Sequence, residues 1–271
     1  MPPRPPIAIL TDFGYRDHYV GAMKGVITEI APEARTIDIT HGIPPQSVAA
    51  GAIALRASWR FFPPRTIFLA VVDPGVGTAR APIAIETRTG ARFAGPDNGL
   101  LSLAAAEAGI ARIVKLSNPR YRLHPVSATF HGRDVFAPAA AWLWRGTRFD
   151  SFGPRISSID RLELPRPIGS AREVRGEVIY VDGFGNLVTN LDLKTITQLT
   201  ASFRGRPLSI RIGRGMAIPL LEAYGEARPG APLAIFGGMD LLEIAVRDGD
   251  AARRLNAGAG AIVTVAAKAR H

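Results

Sequence analysis

The chain contains no cysteine, which excludes disulfides, a thiolate nucleophile and cysteine metal sites while leaving histidine and carboxylate ligation open. Its five histidines show none of the spacing expected of a metal site, and no nucleophile elbow built on serine is present. No metal and no cofactor is therefore expected. No stretch approaches the ~18 consecutive apolar residues of a membrane-spanning helix, and the opening Met1-Pro2-Pro3-Arg4-Pro5-Pro6 lacks the apolar core of a secretory signal. A cytoplasmic protein without a membrane partner is expected. Lysine is scarce, confined to Lys24, Lys115, Lys194 and Lys268, so arginine carries nearly all of the positive charge behind the net +10. These arginines are scattered among Ala, Gly and Pro instead of clustering, which argues for compositional bias and against a nucleic-acid partner.

What is present supports a well-buried enzyme-sized chain: 271 residues, 47% hydrophobic and 21% charged. The first half alternates short apolar runs with helical patterns, the signature of α/β architecture with a mostly parallel sheet covered by helices. Strands are predicted at Ile7 to Leu10, Thr36 to Ile39, Thr66 to Val72 and Ile113 to Leu116. A helix carries Tyr19, Met23, Val26, Ile27 and Ile30 at three- and four-residue spacing before Pro32. Ser47, Asn98 and Asp134 are predicted to cap helices reaching Trp59, Ala108 and about Trp144. A segment rich in Pro, Gly, Ser and Arg divides the chain into an N-terminal α/β domain over 1–155, a linker over 156–172 and a smaller C-terminal β domain over 173–271. In the latter, strands at Glu177 to Val181, Leu208 to Ile212, Leu233 to Phe236, Leu242 to Val246 and Ala261 to Ala266 suggest an antiparallel, barrel-like sheet.

Polar residues gather where strands end, the usual place for an α/β site. Asp12 follows the first strand, where a carboxylate can grip a ribose diol or simply cap the next helix. Asp73-Pro74-Gly75-Val76-Gly77-Thr78-Ala79-Arg80 follows the central strand; its glycines let backbone approach a ligand between opposite charges, although Asp-Pro-Gly is also an ordinary turn. It is not a Walker loop, lacking the Lys-Ser/Thr ending. Phe130-His131-Gly132-Arg133-Asp134 adds an imidazole capable of proton transfer. Asp182-Gly183-Phe184-Gly185-Asn186 reads as a hairpin turn, or as a site where Asp182 and Asn186 meet an ammonium group and Phe184 stacks on a base or thioether. His41, Asp97 and Asn98 are candidates to line the same cleft.

Taken in order, Thr11-Asp12-Phe13-Gly14, Tyr19 to Gly25, Ile39-Thr40-His41, Val72 to Thr78, Gly95 to Leu100, Phe130 to Asp134 and Asp182 to Asn186 resemble the S-adenosylmethionine hydroxide adenosyltransferases, relatives of the fluorinase and chlorinase. The resemblance covers almost the whole chain. It implies cleavage of S-adenosylmethionine, as substrate and not cofactor, to adenosine and L-methionine, in a homotrimer with active sites at subunit interfaces. It further implies Asp73, Arg80 and His131 as the catalytic group, Asp12 on the ribose, and Asp17, Tyr19, Asp182 and Asn186 at the methionine end. Phe130 and Phe184 would pack on the ligand, and backbone near Val246 would meet adenine.

The halogenating relatives bear Tyr and Ser where this chain has His131 and Gly132, and another Tyr where it has Asp73. A carboxylate repels a halide, so a halide-dependent adenosyltransferase is the lesser alternative. Phe236-Gly237-Gly238-Met239-Asp240 departs from the serines usual before Gly-Tyr-Leu-Glu, and Arg247 replaces a common Asn. A sensor that binds the nucleoside without turnover is the other alternative.

Overall fold

The computed structural model describes residues 4–170, 173–200 and 208–267; Met1 to Pro3 of the opening segment and parts of the expected linker lie outside them. The chain divides into two compact units, 1–162 and 163–271. Residues 156–162, assigned to the linker by sequence, are tied to the first unit through Asp160 N–H to Asp97 Oδ1 at 2.8 Å and Leu162 N–H to Ser102 Oγ at 3.0 Å.

In the first unit, β1 (Ile7–Thr11), α1 (Tyr19–Ile30), β2 (Thr36–Thr40), α2 (Val48–Ser58) and β3 (Ile67–Val71) follow the predicted order. Every residue of β1 and β3 is buried, as expected of strands covered on both faces. Met23 and Ile27 of α1 enter the core as their spacing predicts, with Val20 rather than Tyr19 as the third contact of the buried face. Ser47 caps α2, accepting from Ala50 N–H. The unit continues with β4 (Pro82–Thr87), β5 (Arg92–Pro96), α3 (Ser102–Glu107), β6 (Ile110–Lys115) and α4 (Ala137–Trp144).

Neither β4 nor β5 is evident in the sequence. Gly95-Pro96 reads as a breaker, yet a Cβ at Gly95 would lie 2.3 Å from the Ala70 carbonyl oxygen. Glycine is required there because β5 lies close against β3. The sheet order is β2-β1-β3-β5-β4-β6, with β1 parallel to β2 and β3, β3 parallel to β5, and β4 antiparallel to both neighbours. The sheet is thus mostly parallel, with one reversed strand.

Two predicted caps are corrected. Asn98 does not cap α3, which begins at Ser102; its side chain donates to the Val72 carbonyl at 2.9 Å and accepts from Leu100 N–H at 3.2 Å, tying two loops together. Asp134 lies inside a wide π-helical turn, Gly132–Phe136, that leads into α4. Its carboxylate is spent on Ser127 N–H at 2.8 Å and the Arg133 guanidinium at 2.6 and 3.0 Å.

The second unit contains β7 (Ile168–Gly169), β8 (Glu173–Val181), β9 (Leu187–Asp192), α5 (Leu193–Thr200), β10 (Leu208–Ile212), β11 (Pro232–Phe236), β12 (Leu241–Val246), α6 (Ala251–Arg254) and β13 (Ile262–Ala267). All of its strand pairs are antiparallel, in the order β10-β13-β8-β9-β12-β11, with β7 beside β8. Bridges from Ile218 to Ile210 and from Leu220 to Ala234 join the two edge strands through one segment, nearly closing the sheet into the expected barrel. Closure removes exposed edges, which suits a small sheet. Among the described residues, no helix is long and apolar enough to cross a membrane.

Candidate active site

Parallel strands β1, β2, β3 and β5 all end at one edge of the first unit, delivering Asp12, His41, Asp73 and Asp97 in turn. Because β4 runs the other way, its beginning lies at that same edge and brings Arg80 there. The reversed strand is therefore what closes the loop from Asp73 to Arg80. Gly77 makes that loop possible: its φ is +79°, and a Cβ would lie 2.6 Å from the Ala128 carbonyl oxygen.

Arg80 is the centre of the arrangement. Its Nε donates to Asp73 Oδ1 at 3.0 Å, its Nη2 to Asp73 Oδ2, and Nη2 also reaches His131 Nδ1 at 3.1 Å. The Asp73 and Arg80 side chains are each only 6% exposed, and the guanidinium stands over the Phe136 ring, 5.4 Å from its centroid. Arg80 Nη1 is buried with no hydrogen-bond partner among the described residues. A guanidinium donor left unspent in a buried site is costly unless something else accepts from it.

Burial pushes the Asp73 carboxyl up from its ordinary value, against the opposing pull of Arg80. Burial, reinforced by the Arg80 charge, pushes His131 down. A neutral imidazole results at neutral pH. Since arginine can only donate, His131 Nδ1 accepts and its proton resides on Nε2.

Beside this group, Phe13, Tyr19 and Phe130 form an aromatic wall, with ring centroids 5.4 Å apart for Phe13 and Tyr19, 5.9 Å for Phe13 and Phe130, and 5.1 Å for Tyr19 and Phe130. Gly132 keeps His131 close to it: a Cβ there would come within 3.2 to 3.4 Å of Met23, Phe130 and Phe13. Asp12 does not cap α1, whose N-cap is His18. Instead Asp12 Oδ2 accepts from Gln46 N–H at 2.8 Å. Asp17 is exposed in the turn before α1. Asp97 holds the 156–162 segment instead, its Oδ1 accepting from Asp160 N–H at 2.8 Å.

In the second unit, Asp182 closes a turn between β8 and β9. Its Oδ1 accepts from Phe184 N–H at 2.9 Å and Asn186 N–H at 2.8 Å, and its Oδ2 from Asn186 Nδ2 at 2.9 Å. The hairpin-turn reading accounts for these bonds. It also leaves Phe184 82% exposed at the tip, while Asn186 is buried. Val246 ends β12, and its carbonyl accepts from Gly249 N–H at 3.1 Å. Among the described residues no three His, Asp or Glu side chains group in a way that could hold a metal ion.

An α/β unit with a buried acid and cation at its strand ends beside a half-buried imidazole, in one chain with a nearly closed antiparallel β unit, defines the class to which the sequence comparisons give a family. Residues 7–153 match the SAM hydroxide adenosyltransferase N-terminal domain and residues 176–264 the corresponding C-terminal domain. A relative from Thermus thermophilus, named (R)-S-adenosyl-L-methionine hydrolase, is 39% identical over 92% of this chain and 95% of its own. A fluorinase from Nocardia brasiliensis is 27% identical over 97% of both chains. The crystal structure of an uncharacterized conserved protein from Thermotoga maritima superposes with a TM-score of 0.88, at 38% identity over 96% of this chain and 99% of that one. The chain belongs to the SAM hydroxide adenosyltransferase family.

Proposed function

We propose that the protein hydrolyses S-adenosylmethionine at the 5′-carbon to adenosine and L-methionine, acting on the (R)-sulfonium epimer that its relatives' name specifies. The observation that carries this reading is the unspent Arg80 Nη1 donor, buried beside Asp73 and His131. It remains for an oxygen of the bound complex to accept from. A water accepting from Arg80 in that complex would be aligned for attack in line with the breaking bond. As the C5′–O bond forms, the C5′–S pair passes to sulfur, which leaves as a neutral thioether and needs neither metal nor covalent nucleophile. The water's proton goes to Asp73, whose carboxyl burial already raises, because His131 has spent Nδ1 on Arg80 and carries its proton on Nε2.

Asp12 would hold the ribose diol, since only one of its oxygens is engaged by protein. Tyr19, Phe130 and Asp17 would line the ligand, and Asp182, Asn186, Phe184 and backbone near Val246 would complete the methionine and adenine ends. In this reading the working form is a cytoplasmic homotrimer with sites at subunit interfaces, and the exposed Phe184 tip suits such an arrangement.

Purified protein given S-adenosylmethionine without added metal should release adenosine and methionine in equal amounts, consuming the (R) epimer first. Binding without products would instead indicate a sensor. Phe184→Ala should leave thermal stability nearly unchanged, because the ring is exposed, while raising KM about 3- to 10-fold through lost stacking; an unchanged KM would remove Phe184 from the ligand.

The pH profile tests the protonation states. As pH falls through the lowered His131 pKa, the imidazole gains a proton at Nδ1, loses its bond from Arg80 and repels it. Activity should therefore fall on an acid limb lying below about pH 6.5, the ordinary histidine value. An acid limb in kcat/KM above that value would belong to the raised Asp73, which must be ionised to take the proton, and would remove His131 from the limb.

A further inference from the structure

We propose that His41, together with Asp38 and Thr11, is a positioning relay that fixes the Asp12 loop for ribose recognition, a role that rests on the assignment of Asp12 to the diol. His41 follows β2 and is 1% exposed, a placement that demands partners for both ring nitrogens. Its Nδ1 lies 2.7 Å from Thr11 Oγ1 at the end of β1. Its Nε2 faces Asp38 Oδ1 at 3.2 Å, out of line for a full hydrogen bond, and neither atom has another partner. The other Asp38 oxygen takes Lys24 Nζ at 2.7 Å and the Tyr15 hydroxyl at 3.0 Å.

Donors and acceptors here run in one direction. Burial alone would raise the Asp38 carboxyl, but the bonds from Lys24 and Tyr15 and the facing His41 Nε2 hold it below its ordinary value. Burial holds His41 down, hence neutral. A carboxylate only accepts, so His41 carries its proton on Nε2 and accepts at Nδ1 from the Thr11 hydroxyl. Thr11 Oγ1 in turn accepts from Phe13 N–H at 3.2 Å. The His41 carbonyl takes Gly14 N–H at 2.8 Å, and the Tyr15 ring packs edge-on against the imidazole, with centroids 5.0 Å apart.

The loop on both sides of Asp12 is thus anchored to one buried histidine. Thr11 and Phe13 are linked through Nδ1, and Gly14 through the carbonyl. Asp12 itself has a single protein bond, to Gln46 N–H, so its direction is set by the residues flanking it. Phe13 is also part of the aromatic wall, so the same relay sets that wall's edge. Lys24 and Asp38 act through His41, as His41 acts through the loop.

The test compares binding of adenosine and 2′,3′-dideoxyadenosine, measured by calorimetry on the full-length protein, in the parent and in His41→Ala and Thr11→Val. Thr11→Val removes only the hydroxyl from a buried strand position that accepts a β-branched side chain, so it keeps the test valid if His41→Ala fails to fold. The parent should prefer adenosine by more than ~100-fold, as two charge-assisted bonds to the diol require. Both variants should lower that preference by about 10-fold or more while binding the dideoxy compound within about 3-fold of the parent. Equal weakening of both ligands, or a preference kept intact in Thr11→Val, would overturn the relay. A parent that does not distinguish the two ligands would remove Asp12 from the ribose and the relay with it, leaving hydrolysis to be judged by its products.

Discussion

Arg80→Met is expected to lower kcat by about two to four orders of magnitude, the scale for loss of a preorganised donor to charge that develops in the transition state. Methionine keeps much of the side chain's bulk over Phe136 but supplies none of the bonds to Asp73 and His131. Arg80→Lys should recover little, because one ammonium cannot bond both carboxylate oxygens and also supply the donor that Nη1 provides. Stability carries a second signature. Without its cation the buried Asp73 has its folded-state pKa raised further above the unfolded value, so its contribution is most favourable below the unfolded pKa and is lost as pH rises through the folded one. The deficit in Tm relative to the parent should therefore widen between pH 5 and pH 8, approaching the cost of about 3 to 5 kcal/mol seen when one partner of a buried ion pair is removed. Near-parental turnover, measured at saturating substrate, would remove Arg80 from the chemistry.

Gly77→Ala should be the most damaging single-methyl addition in the Asp73 to Arg80 loop. The left-handed backbone at φ +79° costs a non-glycine residue roughly 1 kcal/mol. The added Cβ also meets the Ala128 carbonyl oxygen at 2.6 Å, a rigid backbone atom, so the loop must move. A total loss of about 2 to 4 kcal/mol and a Tm lower by about 5 to 10 °C are expected, with kcat reduced by at least about 10-fold as Asp73 and Arg80 separate. Gly75→Ala is the control, since its nearest neighbour, the Thr78 hydroxyl, is 3.4 Å from the added Cβ. It should cost less than about 1 kcal/mol. Equal effects at both positions, by thermal melting, would refute the close-approach argument.

Much of this site was legible because strand ends announce themselves. The apolar run to Val72 and the polar cluster that follows it place Asp73 at the sheet edge without any structure, and the same holds for Asp12 after Leu10. The meeting of Arg80 with His131, 51 positions away, was legible only through the family resemblance. What brings Arg80 to the edge is the reversal of β4, and its strand was hidden by Pro82 at its start and by the Gly95-Pro96 of its partner β5. Those residues read as breakers by local propensity, but Pro82 and Pro96 face each other at the ladder's end, where lost N–H groups cost least.

Asp134 and Asn98 misled for a related reason. Their short polar side chains suit a helix cap, and tertiary partners used them instead: Arg133 and Ser127 for one, Val72 and Leu100 for the other. In Asp182 the turn reading is met by its bonds to Phe184 and Asn186, and the ligand reading belongs to the proposed function. His41 showed only as a residue near the cleft. Its pairing with Thr11 and Asp38 depends on β1 and β2 lying side by side, which periodicity does not reveal.

Under the proposed mechanism, water attacks the 5′-carbon within the Asp73, Arg80 and His131 group. That attack is tested most directly by turnover of (R)-S-adenosylmethionine in ¹⁸O-labelled water, with mass analysis of both products. One ¹⁸O is expected in the 5′-hydroxyl of adenosine and none in methionine, with labelled product lost in His131→Ala. Label elsewhere, unlabelled adenosine, or labelled product formed at the parental rate by His131→Ala would contradict it.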